Sequence, residues 1–245
     1  MQKGDIVYME YDMWLKENNR LVETTNEELA KAENIWHEKK RYGAIPVVVG
    51  AGEVVKGIDE VLANAELGKD YELELLPAQA YGEREARLVE IFSIHEFKRQ
   101  KLEPKVGMEV SIKGKVGLVT AVTAGRVRVD FNHKYAGKTI KYRYKIIKKA
   151  ETELEKAQAL IEAYYGSAKD FDISISESKD ATIKLPDVCK YDTHWLATKY
   201  KIISALRKFV GLTKISFIEE YIKKEAKQDV DKPSSVVAEQ ENAKR

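Results

Sequence analysis

The sequence predicts an α+β protein built from three modules, and three observations support this prediction. The chain has 245 residues, whereas one domain ordinarily needs about 150. Several segments alternate apolar and polar residues as strands do, and others repeat apolar residues at helical spacing. Between residues 85 and 137 the sequence instead consists of short apolar segments separated by turn residues. That change indicates a small β-rich module set into the chain.

Composition narrows the classes of function. Hydrophobic residues make up 44% and charged residues 33%, with a net charge of +2, so no strong field favours nucleic acid or a membrane. Cys189 stands alone, which excludes an internal disulfide and a multi-thiolate metal site. The four histidines are far apart in sequence, so we expect no metal and no cofactor. Neither a signal peptide nor an apolar run of about 20 residues is present, so we expect a cytoplasmic protein.

A hairpin and a helix are predicted for the amino-terminal part. Side chains alternate on both sides of a polar turn within residues 3–22, as in an antiparallel hairpin. Asn26 offers an N-cap, and we expect a helix from about Asn26 to Tyr42. Leu29, Ala32 and Trp36 follow at helical spacing.

Three strands and a short helix come next in the prediction. Residues 45–49 form a short apolar run, while 70–75 and 140–146 alternate apolar and polar side chains; all three segments are typical of strands. Residues 57–65 repeat apolar side chains at helical spacing, which predicts a helix. The inward positions of that helix are Ile58, Val61 and Leu62.

The C-terminal part, residues 150–230, is predicted to be a mixed α/β module, followed by a polar tail at 231–245. Its predicted elements are a helix beginning near 150, strands at 171–175 and 181–185, a helix at 192–210 and a strand near 215–221. Gly211 is placed to end the second helix. The first helix carries Leu154, Ala157, Ile161 and Tyr164 on its apolar face.

Two motifs in a fixed order carry the most specific information. The first is Gly50-Ala51-Gly52-Glu53-Val54-Val55-Lys56-Gly57, before the short helix, and the second is Ala80-Tyr81-Gly82, three residues after Pro77. The glycine spacing does not fit a nucleotide-binding loop. Together the motifs resemble those of the FKBP-type peptidyl-prolyl isomerases: G-x-G-x-V-I-x-G, a short helix, then P-x-x-A-Y-G.

The resemblance implies an antiparallel FKBP half-barrel sheet with a short helix over residues 1–84 plus 138–149. It also implies a cofactor-free cavity that isomerises X–Pro bonds. The matching pocket positions are Tyr11, Val22, Glu23, Ile45, Val54, Val55, Ile58, Tyr81 and Tyr142. Within that set, the Val55 N–H is the implied donor to a substrate carbonyl, and Ile58 replaces a frequent tryptophan. By residue type alone, Val54, Val55 and Ile58 would suit a core equally well.

Residues 85–137 resemble the insert-in-flap module of SlyD-type isomerases. Their last part, from Val129 to Gly137, is similar to that family's V-D-x-N-H-x-L-A-G. Such inserts hold unfolded chains on an apolar surface, and about fifty residues bury apolar side chains poorly. The candidate client-binding residues are Leu88, Val89, Ile91, Phe92, Ile94, Phe97, Val127, Val129, Phe131 and Tyr135. An alternative in which all of them form a core stays open.

The resemblance therefore implies an isomerase and folding chaperone whose partners are unfolded or nascent polypeptides. The alternative is a non-catalytic holdase or assembly scaffold with a degenerate pocket. An RNA-associated module in residues 150–230 is a weaker hypothesis, because only scattered lysines favour it. The C-terminal module shows no catalytic cluster, and we expect a possible homodimer through it. No histidine-rich tract is present at the C-terminus, so metal delivery is not implied.

Overall fold

The computed structural model describes residues 1–221; the predicted tail at 231–245 and the end of the predicted C-terminal module lie outside the described residues. The first elements are β1 (Ile6–Leu15), β2 (Arg20–Thr24), α1 (Glu27–Ala32), β3 (Ile45–Val48), α2 (Lys56–Leu62) and β4 (Asp70–Leu75). The next are β5 (Val89–Ser93), α3 (Ile94–Arg99), β6 (Glu109–Ile112), β7 (Lys115–Thr123), β8 (Arg126–Asp130) and β9 (Ile140–Lys149). The last are α4 (Glu153–Tyr165), β10 (Asp172–Ile175), β11 (Asp180–Lys184), α5 (Thr193–Ala205) and β12 (Lys214–Ile218).

The central sheet has the strand order β2-β1-β9-β4, and β3 also pairs with β1. All of these pairings are antiparallel. Helix α2 packs on one face of the sheet, where Ile58 and Leu62 are fully buried. The side chains of β1 alternate between the two faces, so Val7 and Met9 join the α2 core while Ile6 faces the other side. The α+β class with an antiparallel half-barrel sheet is confirmed.

The insert forms a separate four-stranded antiparallel sheet of order β5-β8-β7-β6. The two ends of the insert lie side by side, because the Gly137 N–H donates to the Gly82 carbonyl at 2.8 Å. The all-β prediction for this segment missed α3. Ser93 and Glu96 form a capping box at its start, a signal that the S-x-x-E spacing carries in the sequence.

The C-terminal module consists of a three-stranded sheet covered by α4 and α5. β10 and β11 are antiparallel, whereas β11 and β12 are parallel. Trp195 is fully buried at the centre of this module. The same apolar cluster includes Ile6 of β1 and Val48 of β3, so the module packs directly on the back of the central sheet. Gly211 has a φ of +82° and ends the second helical segment, as predicted.

Two sequence predictions about helices are wrong in detail. The helix predicted from about Asn26 to Tyr42 ends at Ala32, and Asn34 follows with a φ of +57°, which a continuing helix does not allow. Its buried side chain is Ala30, whereas Trp36 is 44% exposed. In α4 the predicted inward residue Leu154 is 41% exposed. Helical spacing located both segments without identifying their contact faces.

No helix within residues 1–221 is long and apolar enough to span a membrane.

Candidate functional site

A cavity of about 260 Å³ opens beside the central sheet, between β1, the loop before α2 and the segment around Tyr81. Seven of the nine predicted pocket residues line it: Tyr11, Glu23, Ile45, Val54, Val55, Tyr81 and Tyr142. Met9, Met13 and Glu53 complete the wall. Most of the wall is therefore apolar or aromatic, with two carboxylates.

The strand register places the two sheet tyrosines together. Tyr142 on β9 is directly opposite Met13 on β1, and Tyr144 is opposite Tyr11. Tyr11 and Tyr142 are thus diagonal neighbours on one face of the sheet. Their rings stack with centroids 5.2 Å apart and planes at 10°. The stack forms a flat aromatic wall.

Burial and neighbouring acids keep the phenols of this wall protonated. The Tyr11 hydroxyl donates to Glu23 Oε1 at 2.8 Å. Burial first, and the Glu23 charge second, raise the pKa of Tyr11 above its ordinary value. Burial raises the pKa of Tyr142 well above its ordinary value and that of Tyr81 to about 12. All three hydroxyls therefore remain hydrogen-bond donors at neutral pH.

The glycine motif shapes the loop that borders the cavity. Gly50 and Gly52 adopt φ values of +70° and +72°, a region that glycine enters without steric cost. Their N–H groups donate to the two carboxylate oxygens of Asp59 at 2.8 and 3.0 Å. At Gly57 an added Cβ would lie 2.4 Å from Leu75 Cδ2. That position therefore admits only glycine without rearrangement.

The loop ends at Val55, immediately before α2. Within the described residues, the Val55 N–H has no backbone or side-chain acceptor. The side chains of Val54 and Val55 line the cavity. This combination of a free donor and apolar contacts suits a peptide carbonyl next to a proline ring.

Tyr81 covers another side of the cavity. A short 3-10 turn at Pro77–Gln79 leads into it, and the Gly82 N–H donates back to the Pro77 carbonyl at 2.7 Å. The Tyr81 hydroxyl lies 3.4 Å from Met13 Sδ. This backbone hydrogen bond closes the turn that presents Tyr81 to the cavity.

Two predicted pocket residues do not line the cavity. Ile58 is fully buried in the core behind it, and Val22 packs against that same core. Both were predicted from matching family positions, and their apolar residue type does not separate a cavity wall from the packing behind it. Met9 and Met13 were missed, although they share an alternating face of β1 with Tyr11. Glu53 was missed as well, although it directly precedes Val54.

A larger cavity of about 590 Å³ lies elsewhere on the central sheet, and its lining includes Glu10, Asp12, Arg143 and Lys145. Arg143 donates to Asp12 Oδ2 through Nε at 3.0 Å and through its terminal nitrogen at 2.5 Å. Arg143 and Asp12 satisfy one another, and the charged lining makes this cavity a poor receptor for an apolar ring. Within the described residues, no group of three or more histidine, cysteine, aspartate or glutamate side chains could hold a metal ion.

Comparison with known proteins gives the family. The family pattern described as FKBP-type peptidyl-prolyl cis-trans isomerase matches residues 1–95, that of the FKBP26 IF domain matches 90–135, and that of the FKBP26 C-terminal region matches 153–222. The short-type peptidyl-prolyl cis-trans isomerase of Methanocaldococcus jannaschii is 32% identical over 155 residues, which span 62% of this chain and 98% of that protein. The chain belongs to the FKBP-type isomerases.

Two further relatives are SlyD proteins. The Helicobacter pylori protein is 28% identical over 105 residues, which span 41% of this chain and 56% of the relative. The Treponema pallidum protein is 31% identical over 108 residues, which span 41% of this chain and 58% of the relative. The FKBP-type chain described here is thus similar to just over half the length of each SlyD relative.

An FKBP-type isomerase lowers the barrier to rotation about the X–Pro amide, and the cavity supplies what that step needs. The barrier of about 18–20 kcal/mol arises from lost amide resonance, whereas the two isomers differ by only about 0.5–1 kcal/mol. No covalent bond forms or breaks. A wall that excludes water and holds the twisted amide more tightly than the planar one increases the rate. The Val55 N–H is placed to orient the substrate chain.

The insert presents fewer apolar side chains than the sequence suggested. Phe92, Phe97, Val127 and Val129 are buried in the core of the insert, which corrects their prediction as client-binding residues. Ile94 and Phe131 are half-buried against that core, Tyr135 packs beside Tyr81, and Leu88 and Val89 are of intermediate burial. Of the predicted client-binding residues, Ile91 alone is exposed. The exposed apolar residues that the prediction missed are Val106, Val116 and Leu118.

Proposed function

We propose that this isomerase acts on X–Pro bonds of unfolded or partly folded polypeptides that its insert captures, and that it thereby serves as a folding chaperone. The observation that carries the proposal is the outer face of the insert sheet. Ile91 and Leu118 on that face are 59% and 43% exposed, and Val116 is 66% exposed. Apolar side chains of this size, left in water on one sheet face, offer a surface for apolar segments.

The strand pattern explains why these residues are exposed together. Phe92 and Val119 point into the core of the insert, so their neighbours Ile91 and Leu118 point to the opposite face. Arg128 lies opposite Ile91, and Glu109 lies opposite Leu118, so charged side chains of both signs border the apolar ones. The surface suits extended chains of mixed sequence rather than a single rigid ligand.

Capture near the cavity would raise the local concentration of prolyl bonds. The segment leaving the insert carries His133 and Tyr135, and both rings contact Tyr81 at the cavity. A tethered segment reaches an effective concentration of the order of millimolar. Slow prolyl steps in a bound client would therefore be catalysed more efficiently than those in a free peptide.

Deletion of the insert tests the proposal. Since the Glu85 N–H donates to Asn132 Oδ1 at 2.9 Å, residues 86–131 are removable with a short glycine linker in their place. This deletion keeps the His133 and Tyr135 rings on Tyr81. We expect kcat/KM for a proline-containing tetrapeptide to fall less than threefold and the rate enhancement in proline-limited protein refolding to fall more than tenfold. Equal losses in the two assays would contradict client capture by the insert.

The same refolding assay separates catalysis from the alternative of a non-catalytic holdase with a degenerate pocket. A holdase would suppress aggregation, seen by light scattering of a denatured client, without accelerating the proline-limited phase. The family assignment and the preserved cavity favour acceleration.

We also propose that the C-terminal module pairs two copies of the chain. Tyr191 and Tyr221 remain largely exposed and border a cavity of about 880 Å³ on this module. Exposed aromatic side chains are enriched at interfaces, and two-fold dimers are the commonest assembly. Light scattering distinguishes a dimer from a monomer of 27.9 kDa, and Tyr191→Ser should shift the mass towards the monomer. A monomer at all concentrations would rule the pairing out.

A further inference from the structure

Glu53 joins the isomerase cavity to the C-terminal module. Its side chain lines the cavity beside Val54 and Val55 and is 29% exposed. The Tyr164 hydroxyl, on α4, donates to Glu53 Oε1 at 2.5 Å. Lys201, on α5, places its Nζ 3.8 Å from the same oxygen.

The two partners of Glu53 are themselves organised. Lys201 Nζ lies 4.4 Å from the centre of the Tyr164 ring, within the range of a cation–π contact. Burial first, and the hydrogen bond with Glu53 second, raise the pKa of Tyr164. The phenol therefore keeps its proton and remains a donor at neutral pH. A hydrogen bond to a carboxylate is stronger than one between neutral groups.

The loop at 50–55 is held from two sides. On the side of α2, Asp59 accepts the Gly50 and Gly52 N–H groups. On the side of the C-terminal module, Ala51 packs against the apolar cluster around Trp195, and Glu53 meets Tyr164. Between these anchors, two glycines in the left-handed region give the backbone freedom to move. The second anchor therefore restricts the residues that lead to Val55.

The interface behind the loop is firm enough to transmit such a restriction. Ile6 and Val48 of the central sheet are fully buried in the core of the C-terminal module. The Tyr8 hydroxyl donates to Glu162 Oε2 at 3.1 Å, and Arg41 pairs with Glu162 and donates to the Gly166 carbonyl at 2.7 Å. Packed apolar contacts and several polar links thus fix α4 against the sheet.

We propose that Tyr164 is a positioning residue for prolyl isomerisation: its hydroxyl holds Glu53, and with it the 50–55 loop, in the conformation that directs Val54 and Val55 into the cavity. The inference rests on the isomerase activity of the family and not on client capture. The C-terminal module then contributes to catalysis without contacting the substrate.

Tyr164→Phe in the full chain tests the proposal, because it removes one hydroxyl and keeps the ring. We expect kcat/KM for a proline-containing tetrapeptide to fall about three- to tenfold. The loss should appear mainly in KM, since the loop contacts both the planar and the twisted substrate. The backbone amide resonances of Gly52 to Val55 should shift at the same time. Unchanged kinetics would overturn the proposal.

Tyr8→Phe is the matched control. It also removes one phenolic hydroxyl from the interface between the sheet and α4, but its partner is Glu162. We expect kcat/KM to stay within about 1.5-fold of wild type, because neither Tyr8 nor Glu162 lines the cavity or belongs to the 50–55 loop. An equal loss in both variants would show general loosening of the interface, contrary to the proposal.

A double-mutant cycle tests the route through Glu53. Glu53→Ala removes the acceptor, so Tyr164→Phe should cause no additional loss of kcat/KM in that background. Independent, multiplying losses in the double variant would show that Tyr164 does not act through Glu53. The wild-type protein is measured in the same tetrapeptide assay. An inactive wild type would contradict the isomerase activity itself, whereas an active wild type with unchanged variants would contradict only the role of Tyr164.

Discussion

The imidazole of His133 lies flat on the ring of Tyr81, with ring centroids 4.3 Å apart and planes at 6°. Tyr81 borders the cavity, whereas His133 belongs to the segment that leaves the insert. Burial and the adjacent Lys134 lower the pKa of His133, so the stacked ring is neutral at neutral pH. The insert thus supplies packing to a residue of the isomerase cavity.

Tyr81→Ala should reduce isomerisation without abolishing client binding. The substitution removes both the hydroxyl near Met13 and the ring that covers the cavity, and we expect kcat/KM for a tetrapeptide to fall about tenfold. Suppression of client aggregation should stay within twofold of wild type, since the exposed face of the insert is unchanged. Tyr144→Phe, on β9 of the central sheet and outside the cavity lining, is the control. Parallel loss of both activities would contradict separate sites.

The isomerase rate should not vary with pH between about 7 and about 9. An ordinary tyrosine ionises near pH 10, and the cavity tyrosines Tyr11, Tyr81 and Tyr142 have raised pKa values. Burial, then the nearby Glu23, raise the pKa of Tyr81 to about 12. The folded state holds these protons more tightly than the unfolded state, so the free energy of unfolding should fall only above about pH 10. Tetrapeptide assays between about pH 7 and about pH 9, and urea titrations extended to about pH 11, test the two points. A fall in kcat/KM near pH 8 would contradict the protonated wall.

Replacing Ile91 and Leu118 by threonine should weaken client binding. Both side chains are exposed, so the cost to folding should stay below about 1 kcal/mol. We expect affinity for a permanently unfolded, proline-free client to fall about fivefold, measured by fluorescence anisotropy, with unchanged tetrapeptide kinetics. Glu90→Thr, an exposed residue of β5 that points to the face opposite Ile91, is the control. Unaltered affinity would place client binding on another surface.

Gly117→Ala should destabilise the insert selectively. An added Cβ would lie 2.6 Å from Val129 Cγ1 and 2.7 Å from Phe131 Cδ1, and such overpacking typically costs about 1–3 kcal/mol. Hydrogen exchange should quicken in β5 to β8 and not in β1 or β9. Ser111→Ala, on an exposed position of β6, should leave exchange unchanged. Exchange rates in β5 to β8 equal to those of wild type would show that the core of the insert tolerates the added methyl group.

The sequence predicted the cavity best where a motif dictates backbone geometry. Val54, Val55 and Tyr81 belong to segments in which glycine and proline impose the turns, so their positions followed from the pattern. Ile58 and Val22 were assigned to the wall because they match pocket positions of the FKBP-type isomerases, and an apolar side chain suits a wall and a core equally. Which of these a residue occupies depends on packing between distant segments, and single-sequence periodicity does not contain that information.

The insert shows the same limit for a sheet. Alternation in β5 places Ile91 and Phe92 on opposite faces of the sheet, but it does not indicate which of the two side chains faces the core. That choice depends on where α3 packs and on Gly117, whose missing side chain makes room for Phe131. The parallel pairing of β11 with β12 was likewise not predictable. It requires α5 to cross over the sheet between the two strands, and local alternation does not show how that helix packs.

The burial of Ile6 and Val48 among C-terminal side chains has a thermodynamic consequence. Strands β1 and β3 bury side chains both in this cluster and in the α2 core, while the insert encloses a cluster of its own. Units of cooperative melting follow such clusters rather than chain order. Calorimetry should therefore resolve two transitions: one for the insert, and a second in which the half-barrel and the C-terminal module melt together.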